Sequence, residues 1–430
     1  MKPRDVSTVA HRFKQTFCEG VLNPLGKHVR FCHRVREITP YRLARGLLEV
    51  FASLRVERIA DAHRAFHAWC DTAVPYQPFH QQLAKRTLPV CMRSLCDHWM
   101  TRLTREVLRC SAGSPCARFT PMTIHDGTAF AVQSSLKKTF PGRLTTISPA
   151  AVELHVSMEL LREGMDSVTR TPGSASDVHH VPAAQTLSGG LLLGDRAFFI
   201  KEYLREIAAC GGSFIVTAKG TLNPTVRQAY TTDGREIKRF RNQALKTVKP
   251  KVSRSPALDL EVVWAGELEA RLIVTWNAQE KRPRYLLTNL PRPEFAPEQI
   301  GDAYRLRWPV ERLFKEWKRY ANLHAFDTAK PNIAEGLLWA ALCASLRKRY
   351  CAHMAQRFWQ APISTRKVAL CLHHGLAEIF RARLHGQRQF NRTLQRALQY
   401  LSHNAQRAHP KRDRKSGRLK LGLEHVYATP

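Results

Sequence analysis

The stretch Tyr304-Arg-Leu-Arg-Trp-Pro-Val-Glu-Arg-Leu-Phe-Lys-Glu-Trp-Lys318 constrains the fold more than any other part of this chain. At about 100° per residue, Leu306, Val310, Leu313, Phe314 and Trp317 fall in one arc, roughly 180° to 280° from Tyr304. Arg307, Glu311 and Lys318 gather near about 300° to 340°, and Lys315 and Trp308 near about 20° to 40°. The stretch is therefore expected to lie as a helix on a core, its other edge carrying a carboxylate among cations and an aromatic ring. Those groups suit a metal ion and a phosphate held together. An ordinary surface helix with charges outside fits the same pattern. Pro309 lacks a backbone donor and clashes with the turn before it. It requires either a kink or a new helix that starts there. In both cases Glu311 and Lys318 stay aligned.

A length of 430 residues with 44% hydrophobic side chains allows roughly two to four domains with proper cores. Lys and Arg number 68 against 35 Asp and Glu, a formal charge of +33 with a pI near 10.3. Such an imbalance points to a polyanion, and to nucleic acid first. A membrane surface is the competitor, but the basic residues run through the whole chain and lie on no single amphipathic helix. Met1 to Phe17 is rich in Lys, Arg and His and has no apolar core segment, so no signal peptide is expected. The uncharged apolar run Gly336 to Leu346 is short for a bilayer. The 11 cysteines are scattered, and Cys91 and Cys96 lack metal-site spacing. They read as small buried apolar residues of a reduced, cytoplasmic protein.

Residues 1 to about 115 carry helical spacing, as in Leu43, Leu47, Leu48 and Phe51. Tyr76 to Trp99 fits a helix-turn-helix that enters a DNA groove, the reading the charge favours, and nearly as well a structural bundle. From about Phe119 the texture changes. Met122 to Asp126, Ala151 to Leu160, Asp166 to Thr171, Gly190 to Asp195 and Phe214 to Ala218 read as strands, with a helix from Phe198 to Cys210. Strands alternating with helices define an α/β fold, in which ligands gather where strands end. Asp126 and Asp195 each follow an apolar strand and can face one site. Each also has a plain role, Asp126 in an Asp-Gly-Thr turn and Asp195 as a helix cap.

Thr232 to Arg235 reads as a turn, and Leu258 to Trp264, Glu269 to Trp276 and Arg284 to Leu290 as strands. Lys238 to Arg254 is heavily basic. Trp264 and Trp276 are expected in the core, with stacking on an unpaired base as the alternative. After Lys318 helices run to about Tyr400. Arg407 to Lys420 has seven Lys or Arg and reads as a mobile, DNA-associated or merely solvated tail.

Tyr304, Arg307, Glu311 and Lys318, at spacings of three, four and seven, resemble the Tyr-Arg-Glu-Lys signature of bacterial cut-and-paste transposases. These form the insertion-sequence-four family within the DDE transposases. Asp126 in Asp-Gly-Thr and Asp195 in Gly-Asp-Arg-Ala-Phe-Phe resemble that family's first two catalytic aspartates. Tyr285 to Leu290 resembles the strand before its signature helix. The resemblance spans about 120 to 345 and implies a ribonuclease-H-like core interrupted by a β-rich insertion. The implied division is a helical DNA-binding region over 1–118 and a first core part over 119–218. The insertion follows over 219–292, then a second core part over 293–345 and a basic helical C-terminal region with its tail over 346–430.

The resemblance further implies that Asp126, Asp195 and Glu311 hold two divalent ions, Mg2+ or Mn2+, and that Tyr304, Arg307 and Lys318 contact transposon-end DNA. Hard cations need carboxylate oxygens, and two of them about 3.5–4 Å apart can activate an attacking oxygen and stabilise a leaving one. The implied partners are double-stranded DNA, as terminal inverted repeats and target, and a second copy of the chain in a synaptic complex. No membrane is expected, and the implied location is a bacterial cytoplasm, with the nucleoid. The other readings are a catalytically silent DNA-binding derivative and a metal-dependent nuclease that never joins strands.

Overall fold

The computed structural model describes residues 3–34, 36–53, 58–70, 73–144, 146–175, 177–252, 257–264, 268–277, 281–321, 323, 327–408 and 417–427. The chain opens with helices α1 (Pro3–Thr16), α2 (Glu19–His28), α3 (Pro40–Ser53), α4 (Ile59–Cys70), α5 (Tyr76–Leu83) and α6 (Leu88–Leu103). A short strand β1 (Leu108–Cys110) leads to β2 (Met122–Ala131), β3 (Pro141–Leu144), β4 (Ser148–Glu159), β5 (Gly164–Pro172) and β6 (Leu191–Gly194). Helix α7 (Lys201–Ala209) and β7 (Ser213–Thr217) follow. Next come β8 (Thr225–Thr231), β9 (Gln243–Ala244), α8 (Leu245–Val252), β10 (Ala257–Trp264), β11 (Leu268–Asn277) and β12 (Arg282–Thr288). Helices α9 (Pro297–Arg305), α10 (Trp308–Tyr320), α11 (Pro331–Trp359), α12 (Thr365–Ala382) and α13 (Gln387–Asn404) end the main body. A last strand β13 (Leu423–His425) pairs antiparallel with β1.

The fold is mixed α/β. One 11-stranded sheet runs β3-β4-β2-β6-β7-β12-β11-β10-β8-β9, with β5 on β4. Strands β2, β6 and β7 are parallel neighbours and the other pairs are antiparallel. The run Leu191-Leu192-Leu193 shows why a strand this apolar belongs in the middle. Leu191 and Leu193 join one core and Leu192 the other, because successive side chains point to opposite faces. The first core packs the sheet against α9, α10, α11 and the N-terminal helices, and the second against α7 and α8.

The strands between β7 and α9 build no separate layer. They continue the same sheet, and β12 pairs directly with β7 through Leu286–Thr217 and Thr288–Ile215. A buried ion pair ties them in: Asp259 on β10 accepts from Arg271 on β11 at 2.7 Å and from Arg292 at 2.9 Å. Part of the basic stretch Lys238 to Arg254 is helix α8, and its last two residues lie outside the described ones. Trp276 is a correction. It sits near the end of β11, is 49% exposed and belongs to neither core, whereas Trp264 packs partly buried against Phe199. Trp276 is the last residue but one of β11, so its apolar character alone did not bury it.

The long α11 is the spine of the helical side, with both faces buried. It packs along α6, where Leu88 lies against Gly336 so closely that an added Cβ would stand 2.6 Å from Leu88 Cγ. The predicted helix-turn-helix is present as α5 and α6, but α6 gives Leu88, Met92, Leu95, Cys96 and Trp99 to the core. Its exposed face is narrow, and Arg93 there lies 3.9 Å from Asp97. Among the described residues no helix is long and apolar enough to cross a membrane. The expectation of a mobile tail needs correction at both ends. Arg407 Nε donates to the Ile363 carbonyl at 3.0 Å and Arg418 is buried against Glu163 at 2.5 Å, while residues 409–416 lie outside the described ones.

Candidate active site

Register places the two aspartates. In the parallel pair β2–β6, His125 is opposite Gly194, so the next residue along each chain is Asp126, which lies midway along β2 and not at its end as the sequence pattern suggests, and Asp195, just past the end of β6. β6 stops at Gly194, and the chain turns into a short 3-10 helix that Asp195 caps by accepting the Ala197 N–H at 2.7 Å. The capping role is therefore real, and it fixes the carboxylate beside Asp126.

The stretch from Tyr304 to Lys318 is two helices. α9 ends at Arg305, Leu306 and Arg307 form the join, and α10 starts at Trp308 with Pro309 in its first turn, where a missing N–H costs nothing. Of the two options for Pro309, a new helix is the one found, beginning one residue earlier than Pro309. Val310, Leu313, Phe314 and Trp317 are buried as the periodicity requires. Glu311 in the first turn of α10 is turned towards the aspartates.

Arg307 joins them. Its guanidinium donates to Asp126 Oδ2 at 2.7 Å and to Glu311 Oε1. Asp126 also accepts the Gly127 N–H at 2.9 Å. Burial pushes the Asp126 carboxyl up to about 6, Arg307 opposes that, and the nearby charges of Asp195 and Glu311 add to it. All three carboxylates thus crowd one place. For Arg307, burial works against the charge, and Tyr304, Asp126 and Glu311 outweigh it, so its pKa is raised. Tyr304 holds the guanidinium from behind, its ring centroid 5.7 Å away and its hydroxyl bonded to Thr217 Oγ1 at the end of β7.

Asp126, Asp195, Glu311, Arg307 and Tyr304 are brought together. Lys318 is not part of the cluster; it stands exposed about two turns along α10 from Glu311. Trp308, 56% exposed, projects beside the site with the Lys315 ammonium 5.7 Å from its ring. Thr217 is the participant that sequence reasoning missed. A threonine ending a buried strand carries no local signal, and only the pairing of β7 with β12 sets it beneath α9.

The donor set is three carboxylates, hard oxygen ligands whose mutual repulsion a divalent cation relieves, so the residues suit a group of that kind. Arg307 supplies the positive charge in this structure. Among the described residues no group of three or more His, Cys, Asp or Glu is arranged to hold a metal ion.

Two aspartates on neighbouring parallel strands, one midway along β2 and one just past the end of β6, and a helix-borne glutamate, within a strongly basic chain, define a class: proteins with an acidic centre on a mixed sheet. Residues 117–347, more than half of the chain, match the family described as "Transposase DDE domain", and the chain belongs to that family. Dependence on divalent metal is general for it. The chain is 22% identical over 266 residues to the transposase for insertion sequence element IS1151 of Clostridium perfringens, covering 53% of this chain and 56% of that one. It therefore spans little more than half the length of that relative. It is 22% identical over 368 residues to the transposase for IS231C of Bacillus thuringiensis subsp. berliner, covering 76% and 75%. A solved piggyBac transposase synaptic complex with hairpin DNA aligns over 93% of this chain and 86% of that one, at a TM-score of 0.44 and 11% identity.

Proposed function

We propose that this chain is a DNA transposase of the insertion-sequence-four family, with a ribonuclease-H-like core and the signature Tyr304, Arg307, Glu311 and Lys318. Its activity is cleavage at transposon ends followed by joining of the freed end to target DNA. The observation that carries the reading is the convergence of Asp126, Asp195 and Glu311 from two adjacent parallel strands and one helix, in a chain of this family.

In this reading Asp126, Asp195 and Glu311 hold two divalent ions, with Mg2+ the natural choice and Mn2+ a substitute. Those ions, when bound, supply the charge that lets an oxygen attack an anionic phosphodiester and lets another leave. The residues supply the rest. Arg307, released from the carboxylates, presents its fork to a phosphate, and Tyr304 keeps it aimed. Lys318 adds a point charge further along the DNA. Water attacks the phosphodiester at the element end, and the bond to the 3′ oxygen breaks, leaving a 3′-hydroxyl. That hydroxyl then attacks a target phosphodiester, and the displaced target oxygen takes up the proton. Two copies of the chain hold two inverted repeats together while this happens, in a bacterial cytoplasm beside the nucleoid.

A cleavage assay on DNA carrying the flanks of this gene tests the reading. Wild type should break both element ends with Mg2+ and not with chelator, and strand-transfer products should follow. Glu311→Gln should bind the same DNA and leave it intact. Undiminished cleavage by Glu311→Gln would remove Glu311 from the site, and breaks without strand transfer would mean a nuclease.

A further inference from the structure

A second polar centre lies on another side of α10, about 100° to 140° around the helix from Glu311. There the turn between β4 and β5, α10, α11, the start of α12 and the segment after α13 enclose a cavity of about 30 Å³. Room for one water takes about 10–15 Å³ on this measure, so the space is that of roughly two or three waters, the size of a tetrahedral oxyanion.

Among the described residues the lining is cationic in excess. Arg312, Arg349, Arg366 and Arg407 face Glu163 and Glu316 across it. Both carboxylates are already matched. Glu163 is bonded from outside the cavity by Arg418 at 2.5 Å, and Glu316 by Arg349 at 3.0 Å and by the Thr365 hydroxyl. Burial opposes the Glu163 charge, yet Arg418, Arg407 and Arg312 hold its carboxyl well below the ordinary range. Arg349 is 7% exposed, and its Nε has no hydrogen-bond partner. A buried guanidinium donor left unpaired is costly and calls for an acceptor. The cavity also meets the N-terminus of the 18-residue helix α12, with Ser364 as its cap, and such an end favours negative charge.

We propose that this cavity binds a phosphate-sized oxyanion, clamped by Arg312, Arg349, Arg366 and Arg407 at the start of α12. The anion joins the helix that carries Glu311 to α11, α12 and the segment around Arg407, and it does so whatever the reaction at the acidic centre. Free inorganic phosphate and a phosphodiester of bound DNA share this chemistry.

The test is calorimetric titration of the full-length protein with sodium phosphate, at ionic strength fixed with chloride. Wild type should take up one phosphate per chain. Arg366→Gln and Arg407→Gln should each bind it roughly 10- to 100-fold more weakly, the loss of one charge-assisted bond. Arg366 is exposed, so its variant should fold even if Arg407→Gln does not, as circular dichroism would report. Arg235→Gln, in an exposed turn, controls for total charge. A second titration with short duplex DNA present separates the sources. Unchanged uptake means a free ion, and uptake blocked by DNA in wild type means that a backbone phosphate fills the same cavity. No saturable uptake by wild type, or equal uptake by all variants, overturns the proposal.

Discussion

Arg307 shows how one side chain can take two partners of opposite kind. It neutralises Asp126 and Glu311 in the structure, and the same fork geometry suits a phosphate. Sequence spacing set it beside Glu311, one turn of helix away, but the bond to Asp126 crosses from helix to sheet and has no local trace. Glu49 shows a cost of burial. On α3 it is almost fully enclosed, 3.5 Å from Arg381, and burial pushes its carboxyl up to about 8 against the pull of Arg381 and Arg45. A carboxyl whose pKa is raised on folding holds its proton more tightly in the native state. Its contribution to stability is therefore complete at low pH and is lost as pH climbs from about 4.5 towards 8. Urea unfolding at pH 5 and pH 9 should show a drop of up to about 4 kcal/mol from this group. Glu49→Gln should remove most of that drop, and an identical pH profile in the variant would contradict the assignment.

At the level of elements, periodicity told most where a segment has one buried face. The buried arc of α10 was readable because Val310, Leu313, Phe314 and Trp317 recur at helical spacing. Helix α11 was readable only as apolar, since both of its faces are covered and no polar stripe marks its direction. Strand β12 was legible as a strand, but its pairing with β7 across a long excursion was not, because register between distant strands depends on the whole sheet. The close approach of α6 and α11 at Gly336 is also invisible in one dimension. It makes a firm expectation: Gly336→Val should push Leu88 aside and lower stability by about 1–3 kcal/mol in chemical denaturation. A variant as stable as wild type would mean that the two helices part without loss.

For the whole molecule, the charge of +33 was the most direct signal in the sequence, and no single element explains it. Its expected consequence is steep salt dependence of DNA binding. If about six to ten phosphates are contacted, affinity should fall about 10³- to 10⁵-fold between 50 and 200 mM salt. A shallow slope in a filter-binding or fluorescence titration would mean that most of these charges face water. The acidic centre was legible residue by residue, because each carboxylate lies in or next to an element whose pattern is strong, although β2 runs on past Asp126 to Ala131. What lay outside reach was the cationic cavity. Its lining comes from segments as far apart as Glu163 and Arg407, and each arginine alone resembles a solvated surface charge.

The packing of α6 on α11 also sets an order of events during synthesis. The ribosome releases the N-terminal helices first, yet the surface that covers Leu88, Met92 and Trp99 is not made until residues 331–359 emerge. Glu311 is translated just before that surface. The nascent chain therefore acquires its third carboxylate and the lid on its first-made helices almost together. A polypeptide interrupted between α10 and α11 would carry all three carboxylates but no closed helical half to hold them.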